Sequence, residues 1–463
     1  MTTIDATTAL DALAAAMTGT LVRPGDRSYD EARAVWNGMI DLRPAAIARC
    51  ETTTDVRAAL AVARETGLEL AVRGGGHNVA GFGTSDGGLV IDLSPLRAVR
   101  VEPETKRVHV GGGATLLDLD AATQAHGLVV PAGVVSETGV AGLTLSGGIG
   151  WVRRRWGLSC DNLVGAEVVT AAGDVIRVDD ESDAELMWGL RGGGGNFGVV
   201  TELVFEAHEL GPEVAFLFVL YPLEAAHTVL AEHERLVLAD DAISTIAVLG
   251  HIPPVDDFPP ELHGVPYAAL VGMYAGPVEA GESTLQPLRE LAEPLADFSA
   301  VMAYVDAQQI YDAEYPKGHR YYWKSTNLPG LGPDVVDVLV EQTQAMPSKH
   351  STIDVWLNGG AIARVADDAT AFSGRQGAYV INPEANWESP TDDEANIAWA
   401  RGLLAALAEQ ASGGSYLNFP GFLEEGSELV RASYGPNHAR LAQLKRRLDP
   451  DNVFRRNANI PPA

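Results

Sequence analysis

The chain has 463 residues, of which 33 are Lys or Arg and 62 are Asp or Glu, so its formal charge is −29 at pH 7. Nucleic acids and anionic membranes need clusters of cations, so we expect neither as a partner. Hydrophobic residues make up 46% of the chain, which excludes intrinsic disorder and leaves enough apolar material for more than one domain.

Cysteine and histidine are sparse. The two cysteines, Cys50 and Cys160, exclude a disulfide framework. The histidines show no His-x-x-x-His or similar spacing, so we expect no bound metal. No apolar run reaches the roughly 18 residues of a membrane span, and the N-terminus lacks a basic segment followed by an apolar stretch. These features predict a cytoplasmic protein, and they leave the oligomeric state open.

The first 210 residues alternate between short apolar runs and helical segments. A helix is predicted over residues 1–20, and Thr54 is predicted to cap a second helix that Gly67 ends. Between the apolar runs lie five glycine clusters, at 74–76, 81–88, 111–113, 139–150 and 192–198. Clustered glycines indicate loops that pass very close to another group, so residues 1–210 are predicted to form one α+β domain.

Residues 211–414 have a different pattern. Strand-like runs and helix-like runs alternate there, the strands at 214–221, 245–250, 268–274 and 352–357 and the helices at 224–237, 280–293, 334–345 and 392–411. This alternation predicts a second α+β domain with an antiparallel sheet. In the tail, leucines at spacings of three and four predict an amphipathic helix over residues 438–448, which Asp449-Pro450 ends.

Two glycine-rich segments are the strongest indications of chemistry. Arg73-Gly74-Gly75-Gly76-His77-Asn78 combines backbone N–H groups that can approach an anion with a histidine; the alternative is a flexible loop with a surface histidine. Residues 131–150 offer many backbone donors and few bulky polar side chains, which favours a diphosphate ligand. The first segment is not a Rossmann fingerprint, which would need a helix directly after it and an acidic residue about 20 positions on, and it is not a P-loop, because no Gly-Lys-Ser/Thr follows.

Four glycine-containing segments in this order, with four tail motifs, carry a family resemblance. The segments are 74–78, 131–150, 157–162 and 188–201, and the tail motifs are Tyr416-Leu-Asn-Phe419, Tyr434-Gly-Pro-Asn437, Asp449-Pro-Asp-Asn-Val-Phe454 and Asn457-Ala-Asn-Ile460. The chain resembles the FAD-linked oxidases of the vanillyl-alcohol oxidase/p-cresol methylhydroxylase superfamily, berberine-bridge-enzyme-like branch, and is closest in pattern to bacterial members. The resemblance implies an α+β fold with a two-part FAD-binding PCMH-type domain (1–210), a substrate domain whose antiparallel sheet is flanked by helices (211–414), and a C-terminal segment (415–463) returning to the FAD domain.

The resemblance also implies how FAD is held. His77 would carry the flavin through a single 8α-histidyl bond, because Val135 stands where some members have a cysteine that forms a second bond. Cys160 is then a buried structural thiol. The other FAD contacts implied by the resemblance are Arg73, Gly74, Gly75, Gly76, Asn78, Val134, Thr138, Gly139, Gly142, Ser146, Gly147, Gly148, Gly150, Asn162, Gly198, Val200, Asn418, Asn457 and Asn459.

Removing a hydride from a carbon that bears oxygen or nitrogen requires a base for the O–H or N–H proton. The resemblance implies Tyr416 in this role, although a phenol with a pKa of about 10 needs a polarising environment; the alternative is a core tyrosine. In the alternating run 352–358, Asp354, Trp356 and Asn358 share one face, so Asp354 is a second catalytic candidate unless that face lies at the surface. The predicted substrate contacts are Trp356, Asn358, Tyr322 and Arg375.

Three functions agree with these residues. The first is an FAD oxidase that acts on an alcohol or amine carbon of a small molecule and uses O₂, which the resemblance favours because Val134 occupies the position that gates oxygen access. The second is a flavin dehydrogenase with another electron acceptor. The third is a flavoprotein that binds or sequesters a small molecule without turnover. The identity of the substrate is not determined by the sequence.

Overall fold

The computed structural model describes residues 5–254 and 258–463 and shows helices and strands throughout both ranges. The strands are Thr20–Val22 (β1), Ala46–Arg49 (β2), Leu70–Arg73 (β3), Leu89–Asp92 (β4), Val99–Glu102 (β5), Arg107–Gly111 (β6), Leu128–Val129 (β7), Leu163–Val169 (β8), Val175–Val178 (β9), Val199–Glu206 (β10), His208–Glu209 (β11), Glu213–Pro222 (β12), Ile243–His251 (β13), Pro266–Tyr274 (β14), Ala296–Asp297 (β15), Ala300–Ala303 (β16), Arg320–Trp323 (β17), Thr326–Leu328 (β18), Thr352–Leu357 (β19) and Tyr379–Trp387 (β20).

The α-helices pack on these sheets or connect them. They are Ala6–Ala16 (α1), Tyr29–Arg33 (α2), Thr53–Thr66 (α3), Leu116–Gln124 (α4), Val140–Leu145 (α5), Arg153–Trp156 (α6), Ala184–Leu190 (α7), Ala226–Leu238 (α8), Val278–Leu285 (α9), Tyr304–Ala307 (α10), Pro333–Gln344 (α11), Ala361–Arg364 (α12), Asp393–Ala406 (α13), Ser427–Tyr434 (α14) and His438–Leu448 (α15). Within the described ranges, no helix is long and apolar enough to cross a bilayer.

Helix boundaries follow local capping chemistry. The N-cap of α3 is Thr52 rather than the predicted Thr54, because Thr52 and Asp55 form a reciprocal capping box. Gly67 ends α3 with φ of 74°, as predicted. The helix predicted over 1–20 spans only Ala6–Ala16, with residues 1–4 outside the described part. The helix predicted over 280–293 ends as α-helix at Leu285, before a 3₁₀ turn that contains Pro287.

The first half of the chain contains two sheets. One has the order β1-β2-β4-β3, and its β2, β4 and β3 are parallel. The other has the order β5-β6-β10-β8-β9 and is antiparallel. The glycine-rich segments lie at the ends of these strands. Residues 74–76 follow β3, residues 111–113 begin at the end of β6, and residues 192–198 precede β10.

The second half forms one nine-stranded antiparallel sheet. Its order is β15-β12-β14-β13-β19-β20-β17, with β16 paired to β12 and β18 to β20. One face packs against α8, α11 and α13 in an apolar core. The other face packs against loops of the first half and against Tyr416, in a core rich in aromatic rings. The predicted antiparallel sheet flanked by helices is confirmed, and so is the α+β fold class.

The C-terminal segment is anchored by a buried ion pair. Helix α15 has the predicted bounds, 438–448. Lys445 Nζ lies 2.6 Å from Asp449 Oδ2 and also donates to the carbonyls of Asn196 (2.9 Å) and Phe454 (2.8 Å). Both charged side chains are fully buried. The pair thereby fixes the last residues of the chain against the glycine-rich segment 192–198.

Candidate functional site

One cavity is bordered by residues from the first half, the second half and the C-terminal end of the chain. Glycine-rich loops line one side, the aromatic face of the nine-stranded sheet lines the other, and the C-terminal segment closes it. The residues lining it include Arg73, Gly74, Gly75, Gly76, His77, Asn78, Gly133, Val134, Thr138, Gly139, Gly142, Ser146, Ile149, Gly194, Gly195, Tyr311, Tyr315, Trp323, Asp354, Trp356, Glu384, Tyr416, Asn418, Phe419, Arg456 and Asn457.

The loop side of the cavity depends on the absence of side chains. Gly75 and Gly139 pack backbone against backbone, so that a Cβ on either one would collide with the other. Gly142 is the opposite case: a Cβ there would meet nothing within 4 Å, and the residue lines the cavity. Glycine therefore allows the two loops to touch and leaves space above α5 for an extended ligand.

His77 lies in a stack of three rings. Its imidazole is 4.1 Å from the Trp36 ring at an interplanar angle of 17°, and Trp36 is 3.7 Å from the Tyr321 ring at 11°. Burial lowers the pKa of His77 to about 4, so the ring is neutral at pH 7. Its Nε2 is buried and has no hydrogen-bond partner within residues 5–254 and 258–463. A neutral, oriented imidazole is the form that can form a covalent bond to carbon.

Tyr416 has its phenol oxygen fixed by three donors. The backbone N–H groups of Gly148 and Ile149 donate to it at 3.0 and 3.1 Å, and Asn418 Nδ2 donates at 2.8 Å. Burial raises the pKa of Tyr416, and the three donors oppose that effect without cancelling it. The phenol is therefore protonated at pH 7. Its hydrogen bonds hold the loop 147–149 in place at the edge of the cavity.

Asp354 and Glu384 form a buried carboxyl pair. Asp354 lies on β19 opposite Asn382 of β20, and Glu384 lies opposite Thr352, so the two carboxyls are diagonal neighbours on one face. Burial raises the pKa of Asp354 to about 7. Burial, and then the charge of Asp354, raise the pKa of Glu384 well above its ordinary value. The pair can therefore accept and release a proton near neutral pH.

Each carboxyl accepts a hydrogen bond from a polar side chain on its sheet, and the Tyr315 hydroxyl is a further hydrogen-bonding neighbour of Glu384. Thr352 Oγ1 donates to Asp354 Oδ1 at 3.0 Å, and Asn382 Nδ2 donates to Glu384 Oε1 at 2.6 Å. Sequence reasoning missed Glu384, although a signal was present. Asn382, Glu384 and Asn386 alternate in an otherwise apolar run, which marks a polar face on a buried strand.

The structure brings most of the predicted residues together at the cavity. The ones that line it are Arg73, Gly74, Gly75, Gly76, His77, Asn78, Val134, Thr138, Gly139, Gly142, Ser146, Asp354, Trp356, Tyr416, Asn418 and Asn457. Three predicted glycines lie directly behind this wall instead. Gly147 and Gly148 pack against Tyr416 and Ser159, and Gly150 packs against the carbonyl of Ala132, so these glycines allow close backbone packing.

Four predicted FAD contacts lie away from the lining. Asn162 donates to the carbonyls of Trp156 and Leu158 and contacts His208, which fixes a turn. Gly198 packs against Val168. Val200 is buried in β10, and the Asn459 side chain is not part of the lining.

Three predicted substrate contacts are corrected by the structure. Tyr322 points to the opposite face of the sheet from Tyr321 and Trp323, and its hydroxyl contacts Glu424 and Arg401. Arg375 forms a bidentate pair with Asp161, at 3.0 and 2.5 Å, that joins two parts of the chain. Asn358 follows the end of β19 and lines a separate, smaller cavity.

Comparison with known proteins defines the class to which this fold and site belong. A family model described as "FAD binding domain" matches residues 44–179, and one described as "Berberine and berberine like" matches residues 415–461. An FAD-linked oxidoreductase of Dictyostelium discoideum is 31% identical over 96% of this chain and 95% of its own length. The (R)-6-hydroxynicotine oxidase of Paenarthrobacter nicotinovorans is 30% identical over 96% and 97%.

Solved structures agree with this class. The 6-hydroxy-D-nicotine oxidase of Arthrobacter nicotinovorans superposes with a TM-score of 0.85 at 29% identity, over 97% of this chain and 99% of that one. A xylooligosaccharide oxidase from Myceliophthora thermophila has a TM-score of 0.86 at 23% identity, over 98% and 99%, and shows the shared fold. The chain belongs to the berberine-bridge-enzyme-like branch of the vanillyl-alcohol oxidase/p-cresol methylhydroxylase superfamily and is an FAD-linked oxidoreductase.

FAD fits the residues that the cavity presents. Arg73 Nη2 is paired with Asp92 at 3.0 Å, whereas its Nη1 is buried without a partner in the described ranges. His77 Nε2 and Asn457 Oδ1 are likewise buried and unpaired there. Polar atoms of this kind need a ligand to satisfy them, and the glycine loops provide backbone donors for a diphosphate without lysine.

Proposed function

We propose that the protein is an FAD-dependent oxidase that removes a hydride from an alcohol or amine carbon of a small organic substrate and uses O₂, giving hydrogen peroxide. The observation that carries the proposal is the composition of the cavity. Its loop side contains His77 and the glycines, and its sheet side contains the carboxyl pair Asp354 and Glu384. A substrate between the two sides would have a proton acceptor on one side and the cofactor on the other.

We propose a single covalent bond between His77 and FAD. Val135 occupies the position where a second, cysteinyl bond is made in some relatives. Cys160 is fully buried and does not line the cavity, and burial raises the pKa of its thiol well above its ordinary value. A thiol in that state is a poor nucleophile, which supports a structural role. The remaining FAD contacts would be the predicted residues that line the cavity.

The bound flavin supplies the two-electron acceptor for the substrate hydride. The chain supplies the base, and we assign that role to the pair Asp354 and Glu384 rather than to Tyr416. Burial raises the pKa of Asp354 to near neutrality, so this carboxyl can take up and release a proton there, whereas the Tyr416 phenol stays protonated. Tyr416 would then position the loop 147–149, and Trp356 would form part of the substrate wall.

Oxygen use is supported by Val134, a small residue that lines the cavity in a loop held by the second half of the chain. Gln308 donates to the carbonyl of Gly133 at 2.8 Å, and Asp312 accepts from the N–H and hydroxyl of Ser136, at 2.9 and 2.5 Å. These bonds fix the backbone of the Val134 loop. The size of the side chain at position 134 would therefore determine how easily O₂ reaches the flavin.

The test is to photoreduce the holoenzyme anaerobically, mix it with O₂ and follow flavin absorbance and peroxide. Rapid reoxidation with stoichiometric peroxide is the expected result. Slow reoxidation would favour a dehydrogenase, and failure of an anaerobic panel of alcohols and amines to bleach the flavin would favour a binding protein. Val134→Leu should slow reoxidation without affecting photoreduction, because only access to the flavin is narrowed.

We further propose the division into an FAD-binding domain (1–210), a substrate domain (211–414) and a C-terminal segment (415–463). The change from two small sheets to one large sheet near residue 210 supports the first boundary. Cys50 and Cys160 are both unpaired and buried, which is compatible with a reducing cytoplasmic location. Fractionation of cells that express the natural protein tests the location.

A further inference from the structure

The substrate side of the cavity is acidic and aromatic. Apart from Asp354 and Glu384, residues 211–414 contribute only aromatic side chains to its lining: Tyr311, Tyr315, Trp323 and Trp356. The Tyr315 ring lies 5.2 Å from Trp323 and 6.0 Å from Tyr311, and both contacts are edge-on, so the rings present walls at several angles. No Lys, Arg or His of this range lines the cavity in the part of the chain that the structure describes.

The carboxyl pair has no cation within the described residues. Neither Asp354 nor Glu384 takes part in an ion pair there. Arg153 packs behind Trp356 at 5.3 Å from its ring and donates to the carbonyls of Gly150, Thr245 and Leu357, while Arg73 and Arg456 line the loop side of the same cavity. The hydrogen bonds of Arg153 are thus directed at backbone and away from the cavity.

Polar atoms of this wall are buried and lack a hydrogen-bond partner. Glu384 Oε2 and the Tyr311 hydroxyl can accept from an ammonium, whereas Trp356 Nε1 can only donate and needs an acceptor elsewhere on the ligand; the side chains are 3%, 9% and 2% exposed. Buried polar atoms carry a desolvation cost unless a partner satisfies them, so within the described structure these three atoms point to a ligand.

We propose that the substrate is a cationic amine whose ammonium group binds at Asp354 and Glu384, between the rings of Tyr311, Tyr315 and Trp356. This inference rests on the proposed oxidase function and narrows its substrate class from alcohols or amines to amines. A carboxylate pair supplies the counter-charge that an ammonium needs on leaving water, and aromatic faces add cation–π attraction. A saccharide is matched less well, because its many hydroxyls need several donors and acceptors and this wall offers few besides the carboxyls.

The same placement allows an amine to be oxidised to an iminium ion, with every proton and electron accounted for. The ammonium N–H proton passes to a carboxylate of the pair, which leaves a lone pair on nitrogen. That lone pair forms the second C–N bond as the adjacent carbon loses a hydride, so the substrate is oxidised to an iminium ion. The two electrons of the hydride reduce the flavin, and water then hydrolyses the released iminium ion to a carbonyl compound and an amine.

Binding of a cation should also release protons. Burial raises the pKa values of Asp354 and Glu384 in the absence of a counter-ion, so the pair holds a proton near pH 7 that an arriving ammonium would displace. The other titratable groups that face the pair are Tyr267, Tyr311, Tyr315 and Tyr321, with Glu314 beside the tyrosines and Arg153 behind Trp356. Burial raises the pKa values of the four tyrosines, so they stay neutral through this range.

The test is calorimetric titration of the holoenzyme at pH 7 in two buffers of different ionisation enthalpy. The charged probe is benzyltrimethylammonium, which has no N–H to lose. The neutral probes are benzyl alcohol, which keeps the aromatic ring, and xylobiose, which is a saccharide. We expect the ammonium to bind with proton release, and the neutral probes to bind weakly without it. Glu384→Gln should weaken ammonium binding about tenfold or more and remove most of the proton release.

Two controls show whether a negative result comes from misfolding or from a wrong amine assignment. Glu181→Gln, at an exposed position, should leave binding unchanged, and flavin absorbance with circular dichroism reports whether Glu384→Gln is folded. Absence of ammonium binding, or equal binding by a folded Glu384→Gln, overturns the amine assignment. Bleaching by saccharides but not by amines also overturns it while the oxidase function stands, whereas failure of O₂ to reoxidise the photoreduced enzyme removes the oxidase function alone.

Discussion

Tyr416 accepts a hydrogen bond from the N–H of Gly148 at 3.0 Å, and this contact joins the C-terminal segment to a glycine-rich loop 268 residues earlier in the chain. The same oxygen accepts from Ile149 and Asn418. We therefore expect Tyr416→Phe to lower the free energy of unfolding by about 1–3 kcal/mol, because three buried donors lose their acceptor. Thermal unfolding of the holoenzyme measures this effect. Loss of turnover in a folded variant that keeps its flavin would instead assign the role of base to Tyr416.

His77→Ala should leave FAD bound but extractable. The glycine loops and Arg73 remain to hold the cofactor, whereas the covalent bond has lost its nitrogen. Acid precipitation followed by absorbance of the supernatant measures the released flavin. Cys160→Ser is the matched control and should retain flavin in the pellet. A flavin peptide that maps to Cys160 would contradict the single histidyl bond.

Arg153→Met should destabilise the protein although it removes a buried charge. Arg153 is fully buried without an acidic partner in the described ranges, and burial lowers its pKa to about 9. Three carbonyls from different parts of the chain lose their donor, so we expect a loss of at least about 2 kcal/mol in unfolding free energy. Arg155→Met, at the exposed end of the same arginine run, should change stability little. An unchanged unfolding free energy in Arg153→Met would show that Arg153 has no structural role.

Lys445→Met should both unfold more easily and retain FAD less well. It leaves Asp449 buried without its cation, which costs about 3–5 kcal/mol. Asp449 also accepts from the N–H groups of Val453 and Phe454, so its loss of pairing loosens the segment that brings Asn457 to the cavity. Denaturant unfolding and flavin release on dilution measure the two effects. Stability loss without any change in flavin release would separate the anchor from the site.

Stability should fall as pH rises from about 4 to above 7, through the contribution of Asp354. Its pKa is 3.8 in the unfolded chain and about 7 in the folded protein, so the folded state binds the proton more tightly. The contribution is fully present below the lower value and is lost as pH passes the higher one. Asp354→Asn should flatten this part of the profile in urea unfolding across pH. An unchanged slope in the variant would assign the dependence to other groups.

The amino-acid sequence determined those features that depend on neighbours along the chain. Helix α15 was predicted with its bounds because leucines at spacings of three and four and a terminal Asp-Pro are local signals. Strand β19 was predicted because polar and apolar residues alternate over Thr352-Ile-Asp-Val355 at its start. The glycine segment that precedes His77 predicted the loop side of the cavity. Close approach of two backbones requires glycine, and clustered glycines are visible in the sequence.

The tertiary structure decided which face of each strand meets the cavity. In β17, Tyr321 and Trp323 pack in the aromatic core on the side of the glycine-rich loops, and Tyr322 packs in the core on the side of the helices. Three consecutive aromatic residues do not show in the sequence which of them faces which side. Arg375 was predicted to contact the substrate, but in the structure it pairs with Asp161, 214 residues away. Glu384 joined Asp354 only through the register of β20 on β19. The substrate side of the site rests on such long-range pairings, so the sequence alone predicted the cofactor and the fold but not the carboxyl pair.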